Sequence, residues 1–367
     1  MKKYSSLYYD ICSLDNIKYI YEEKVKKTTK NKKNVVNFDN YYMENICSIK
    51  ENLSKENYIL GKYNIFLITR PKVRVVMSQK MYDKVINHLV SYFILNPVIL
   101  PCLVDTNVAT RKNKGTDYGI KLFKKYLVTA RRKYHNFYIL KFDISKYFYN
   151  IDHDILKNLL KRRISDKRAL CILFRIIDST NDKYVNETIS SLIKKYKRKI
   201  TDSNIVQQLD SIPLYKYGKG LPIGNMTSQI LAIFYLNELD HYIKEELGIK
   251  YYIRYMDDGV LIHYNKEYLK YCLDKISCIC FKYKLKLNNK TKIYNICEGI
   301  DFLGFRYFFK NDRLIVRLRS DTKKNFKKKM KYYKYSDYEK YIHALGSYKG
   351  HMKYASSKNL WYEVFNK

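Results

Sequence analysis

No two of the eight cysteines stand at CxxC spacing, and Cys278 and Cys280 are only one residue apart, so neither a zinc site nor a disulfide framework is expected. Glycine (12) and proline (5) are scarce, which suits an A/T-rich coding sequence together with the abundant Lys, Asn, Ile and Tyr. No apolar h-region follows the opening MKKYSSLYYDICSLDN. The most apolar stretch, Ser91 to Val104, is short and interrupted by Asn96, Pro97 and Pro101. The expectation is therefore no signal peptide, no membrane span or membrane partner, and a reducing cytoplasm. Acids are also few: 35 Asp+Glu face 71 Lys+Arg, a formal charge of +36. A hydrophobic fraction of 46% with 16% aromatics excludes a disordered basic tail. A/T-rich codons also encode Asp and Glu, so the imbalance of sign asks for a polyanionic partner. The 367 residues, at roughly 150 per domain, make two or three units able to bury a core without staples.

Residues 1–60 mix apolar positions with charges, as in LDNIKYIYEEKV and NYYMENICSIKENL, and read as amphipathic helices around a basic loop, KKTTKNKKN. NIFLITRPKVRVVMS then reads as a hairpin about Arg70-Pro71. MYDKVINHLVSYFIL returns to helical spacing. FYILKFDI at 137–144 is a β-rich run ending in an acid, and the chain turns helical near Asp152 or Asp154. Residues 157–210 are mostly helical and lysine-rich, with SLIKKYKRKI the densest basic patch.

GKGLPIGNMTSQ is a loop opening a long helix at 228–247, with Leu236, Leu239, Ile243 and Leu247 on one face. YYIRYM and VLIHY flank Asp257-Asp258-Gly259, where Asp-Gly is a hairpin signal. A further helix, short strands in IDFLGFRYFF and RLIVRL, and a basic, tyrosine-rich helical tail complete the chain. No internal repeat is present. The order of strand, helix, hairpin, helix and strand is that of an interrupted split βαβ, a ferredoxin-like sheet.

In such a sheet Asp143 ends one strand and Asp257 and Asp258 sit at the tip of a neighbouring hairpin, so three carboxylates converge. Their repulsion asks for hard divalent cations such as Mg²⁺, and two ions about 3.5–4 Å apart suit an in-line phosphoryl transfer. Taken alone, Asp257-Asp258-Gly259 is equally what an ordinary turn prefers. The joint occurrence with Asp143 and GLPIGNMTSQ, in this order, is what carries weight.

FDISKYFYNID, GLPIGNMTSQ, YMDD, LNNKTKI and FLGF resemble, in succession, the palm motifs of reverse transcriptases, from about Asn16 to the C-terminus. IGNMTSQILAIFYLNELD and SYKGHMKYASSKNL most resemble the enzymes of diversity-generating retroelements and their bacterial and phage relatives. The resemblance implies an α+β right-hand polymerase. Its parts would be N-terminal helices and hairpin fingers at 1–136, a ferredoxin-like palm at 137–312 with a fingers insertion at about 157–215, and a small helical thumb at 313–367.

It further implies that Asp143 and Asp257 bind both Mg²⁺ ions, with Mn²⁺ as a substitute, that Asp258 supports them, and that the Ile144 carbonyl completes one shell. Phe148 falls where the family places an aromatic ring under the incoming sugar, which would exclude a 2′-hydroxyl. Lys72 and Arg74, two apart on the expected strand and so on one face, match the cations that hold the triphosphate. Lys290 matches the lysine that protonates pyrophosphate, with Lys292 as its rival.

Gly220, Pro222 and Gly224 would let the backbone approach the nascent pair, with Ser228 and Gln229 behind them. Ile223 departs from the glutamine most of the family carries there, and reduced selectivity is expected. Phe302, Leu303, Gly304 and Phe305 resemble the primer grip, and the tail is read as following a phosphate backbone.

The activity expected is an error-prone RNA-directed DNA polymerase. It would use template RNA, primer or cDNA, and deoxynucleoside triphosphates, with a small basic accessory protein as partner. The rival readings are a retron-type or phage-defence transcriptase and a catalytically silent RNA-binding protein.

Overall fold

The run on either side of Arg70-Pro71 folds as β1 (Asn64–Ile68) antiparallel to β2 (Arg74–Ser78), with Ile65, Leu67, Val75 and Met77 buried on one face. The alternation expected of a half-buried hairpin is present. In the computed structural model, residues 3–29, 31–356 and 360–362 are described. Ser357, Lys358 and Asn359 of SYKGHMKYASSKNL, and residues 363–367 of the expected thumb, lie outside them. Packing divides the chain into two units, one drawn from Met1–Val104, Ile144–His241 and Cys278–Lys286, the other from Asp105–Asp143, Tyr242–Ser277 and Leu287–Lys367.

In the first unit the hairpin's apolar face packs with Val185 and Ile189 of the helix Lys183–Lys197, with Leu209, and with Tyr215. Helices His153–Lys161, Lys167–Asp178 and Ser203–Asp210 begin at Asp152, Asp166 and Asp202, whose carboxylates accept the first free N–H groups. Met81–Cys102 is one helical run of 22 residues, long and apolar enough by length and composition to cross a membrane. Val85, Ile86, Leu89, Val90, Ile94 and Leu95 along it are fully buried, as in a core helix.

The helical run passes through Asn96-Pro97. The turn widens over Val90–Leu95 just before the proline, sparing the carbonyl its ring would strike. The helix expected at 228–247 instead starts at Met226 and is interrupted at Leu236, with Asn237–His241 following.

The second unit is built on β3 (Tyr138–Phe142), β4 (Tyr251–Tyr255), β5 (Asp258–His263) and β6 (Lys292–Asn295), in the order β4-β5-β3-β6 with every neighbour antiparallel. That is the ferredoxin-like order read from the succession of motifs. A second sheet holds β7 (Ile300–Phe302), β8 (Phe305–Lys310) and β9 (Arg313–Leu318). Between the sheets lies the helix Thr116–Tyr134, whose Ile120, Phe123, Leu127 and Ala130 recur at three- and four-residue intervals and are buried. Phe123 meets Phe302 and Tyr307 edge-on, with ring centroids 5.0 and 4.9 Å away. Helices Ser320–Ser336 and Tyr338–Met352 close the unit, contributing Phe326, Met330 and Met352 to this core. The molecule is α+β.

Candidate active site

The hairpin β4–β5 exists as expected, but its tip holds Asp257 and not Asp258. Tyr255 pairs with Asp258, so Met256 and Asp257 form the two-residue turn, and Met256 takes a left-handed φ of 56°. The buried Arg254 braces this strained turn, its Nη1 donating to the Met256 carbonyl at 2.5 Å. Gly259 serves a different need from the turn signal read in it: it leaves room for the ring of Phe142, its partner across β3.

The turn sets Asp257 against Asp143, which directly follows β3, and the two carboxyls are within hydrogen-bonding reach. Burial, and then the charge of Asp143, push the Asp257 carboxyl up to about 7. The third acid behaves differently. As the first residue of β5, Asp258 turns to Lys141, with Oδ1 and Nζ 3.3 Å apart. Burial raises its carboxyl above the usual range, while Lys141 opposes that rise.

Asp143 and Asp257 thus form a facing pair, and Asp258, near enough for its charge to act on Asp257, is held by a lysine. Among the described residues no group of three or more His, Cys, Asp or Glu is arranged to hold a metal. The pair nonetheless fits a hard divalent ion. It offers oxygen donors only, and Asp257 is driven toward its neutral form by a burial and a repulsion that a cation would relieve.

Asp143 is held from behind by residues 287–291. Its carbonyl accepts from the Asn288 N–H at 2.7 Å, and its Oδ2 from the Asn288 side-chain amide at 2.9 Å. Lys290 is exposed in this turn, its N–H bound to Asn288 Oδ1 at 3.1 Å. Lys292 opens β6 and pairs with Glu298 at 3.6 Å. Phe302 and Phe305 pair across β7–β8, leaving Leu303 and Gly304 as a two-residue turn with φ of 47° and 86°. His351 lies on this turn, its ring 4.5 Å from that of Phe305.

The first unit collects the residues expected to meet the nucleotide. The Met77 N–H of β2 donates to the Ile223 carbonyl at 2.8 Å, and a Cβ on Gly224 (φ 135°) would stand 2.6 Å from the Met77 oxygen. Only glycine fits there. The Leu221 N–H donates to the Phe148 carbonyl at 2.7 Å, which joins Phe148 to the same loop. Gln229 is exposed on the first turn of the helix Met226–Tyr235, while Ser228 is buried.

Arg74 opens β2 and is exposed, but Lys72 is not on the strand. The ladder closes at Ile68 with Arg74, so residues 69–73 are loop and the shared-face reasoning does not reach Lys72. Ile144 is buried in this unit.

Several supporting residues were not singled out from the sequence. Lys141 carries a faint signal, standing two residues before the acid that follows its strand. Asn288 lies within LNNKTKI but drew no role. His153, with Nε2 2.7 Å from the Gly220 carbonyl and Nδ1 3.0 Å from Asp178, had no signal beyond following Asp152.

The family model for "Reverse transcriptase (RNA-dependent DNA polymerase)" matches residues 68–307, well over half of the chain, a stretch holding both acids, the Gly224 loop and Gly304. Protein YkfC of Escherichia coli (strain K12) is 25% identical over 213 residues, covering 48% of this chain and 48% of its own. The chain thus spans about half the length of the curated relative it matches. Among solved structures, apo telomerase from Candida tropicalis, truncated from its C-terminal domain, is 17% identical with a TM-score of 0.41, over 70% of this chain and 55% of that one. Telomerase from Candida albicans with a fragment of telomeric RNA is 13% identical with a TM-score of 0.49, over 85% and 58%. By the matched stretch, and with Asp143 and Asp257 brought face to face inside it, this chain belongs to the reverse transcriptase family.

Proposed function

We propose that the chain is an RNA-directed DNA polymerase of right-hand architecture that makes cDNA from a dedicated template RNA. The observation that carries this reading is the meeting of Asp143 and Asp257, supplied by a strand end and a hairpin tip of one ferredoxin-like sheet. Asp143 and Asp257, with the Ile144 carbonyl, would hold two divalent ions, Mg²⁺ or Mn²⁺ in its place, and Asp258, paired with Lys141, would support them. Such ions, when bound, neutralise charge on the attacking and leaving oxygens.

The chain's own residues do the rest by position and charge. Lys72 and Arg74 steady the triphosphate, Phe148 bears on the sugar, and Ile223, Gly224 and Gln229 bear on the nascent pair. The turn Phe302-Leu303-Gly304 seats the primer end. Its 3′-hydroxyl, losing its proton to solvent, attacks the α-phosphate of a deoxynucleoside triphosphate in line; the bond to the β-phosphate breaks and pyrophosphate leaves with a proton from Lys290. Lys292, by contrast, is drawn to Glu298.

The apolar Ile223 favours an error-prone enzyme of the diversity-generating retroelement kind, working with a small basic accessory protein. A reducing cytoplasm is the compartment this reading implies. Primer extension on poly(rA)/oligo(dT) with Mg²⁺ tests the activity. Incorporation of deoxynucleotides by the wild type, abolished by Asp257→Ala, is expected; equal behaviour of the two would favour an RNA-binding protein.

A further inference from the structure

Asn288 makes four hydrogen bonds in and around one short turn, and two of them go to Asp143. Its N–H donates to the Asp143 carbonyl at 2.7 Å, and its side-chain amide donates to Asp143 Oδ2 at 2.9 Å. Its Oδ1 accepts the Lys290 N–H at 3.1 Å, and its carbonyl accepts the Thr291 N–H at 2.9 Å. The Thr291 hydroxyl in turn lies 3.4 Å from the Asp143 N–H. Residues 145 positions apart in sequence are therefore clipped together at both backbone and side chain.

An aspartate's terminal torsion is broad and nearly two-fold, so the plane of its carboxylate is set by whatever binds it from outside. Here a neutral amide holds Oδ2 from outside the acidic pair. It orients the carboxylate without adding charge to a site that already opposes two acids. We infer that Asn288 is a positioning residue for Asp143: it fixes the carboxylate plane that the divalent ion requires and ties the backbone of Lys290 to the same point. This rests on the polymerase reading of the site. Groups that orient a metal-binding carboxylate from behind affect metal affinity and rate together.

Two substitutions separate positioning from a mere turn. Asn288→Ser keeps an oxygen able to accept the Lys290 N–H, adds no charge, and cannot reach Asp143 Oδ2 with a donor. Asn288→Ala removes both functions. For the full chain, the measurements are kcat and KM for dTTP on poly(rA)/oligo(dT), and the Mg²⁺ concentration giving half of the ion's thermal stabilisation.

The expected result for Asn288→Ser is a metal-free melting temperature close to wild type, a kcat lower by about 10–100-fold, an unchanged KM, and a Mg²⁺ midpoint raised by a similar factor. Wild-type kcat and Mg²⁺ midpoint in Asn288→Ser, with only Asn288→Ala impaired, would reduce Asn288 to a turn residue and overturn the inference. A wild type that fails to extend primers would remove the polymerase reading instead. The Mg²⁺ midpoints would then still decide whether Asn288 orients Asp143.

Discussion

Gly259 lies under the ring of Phe142 so closely that a methyl group on its Cα would stand 2.2 Å from Cζ and 2.3 Å from Cε1. Neither neighbour has room to yield, because Phe142 is fully buried and the two residues are paired across β3 and β5. Gly259→Ala is expected to cost about 1–3 kcal/mol of folding stability, the range for overpacking a core. Urea denaturation of the single variants and of Phe142→Leu/Gly259→Ala checks it. The smaller side chain recovers part of the loss, so the double variant falls short of the sum of the singles; additivity would mean that the ring is not what excludes the methyl.

Asp257 makes the metal-free protein sensitive to alkali. Its carboxyl is raised from 3.8 to about 7, by burial first and then by Asp143, so the folded state prefers the neutral acid. A folded pKa above the unfolded one means that stability falls as pH rises from about 4 to about 7, and that the full penalty applies above that window. Asp257→Asn removes the ionisation. In chelator, the variant should melt higher than wild type at pH 8, by on the order of 2–4 kcal/mol, and the gap should close near pH 4. Mg²⁺ should narrow the gap at pH 8 by stabilising only the wild type. A gap of the same size at both pH values would show that the carboxylate is not under strain.

His153 ties the Gly220 loop to its own helix. The Gly220 carbonyl meets His153 Nε2 at 2.7 Å and the Thr180 hydroxyl at 3.0 Å, and Asp178 holds both His153 and Lys157. In His153→Ala, Thr180 and Lys157 keep partners, so the fold should survive with a loss of about 1–3 kcal/mol. The loop bearing Ile223 should loosen. Steady-state kinetics should then show KM for the deoxynucleotide rising more than kcat falls, whereas a fall in kcat alone would place the effect elsewhere.

Phe148 offers a test of sugar selection. Its backbone is fixed by Leu221 and its half-buried ring packs on Tyr147 at 5.9 Å. Phe148→Val should leave the backbone in place and open the space that a 2′-hydroxyl would need. The ratio of kcat/KM for dTTP over UTP should drop by about 10–100-fold, a steric discrimination of ordinary size. An unchanged ratio would make Phe148 a packing residue.

What was legible in the sequence, and what was not, follows from the range of the interactions. β1 and β2 could be read because half-burial imposes a period of two, visible in Ile65, Leu67, Val75 and Met77 themselves. The strand order of the ferredoxin-like sheet followed from the succession of motifs, and Asp143 and Asp257 could be placed because they sit at element ends. Asp258 was misplaced at the tip of β4–β5 because Asp258-Gly259 carries a turn's composition for another reason: glycine is there for Phe142, and Met256 bears the left-handed conformation. Lys72 was misplaced because strand period says nothing about where a ladder stops. Asn288, Lys141 and His153 act through partners brought near only by the finished fold, and no local pattern announces such a partner.

Ile223 is the position where side chain and backbone can be separated most cleanly. Its carbonyl is bound by the Met77 N–H at 2.8 Å, and the next residue, Gly224, is pressed against the same strand. The loop is thus placed by main-chain contacts that a substitution at 223 does not touch. Ile223→Gln should keep stability and kcat and add one amide near the nascent pair. A hydrogen bond worth about 1 kcal/mol corresponds to about a fivefold change in preference for the correct nucleotide. Sequencing cDNA copied from one defined RNA by wild type and variant measures it. Fewer misincorporations by Ile223→Gln, at unchanged extension rate, are expected, and identical error spectra would detach Ile223 from fidelity.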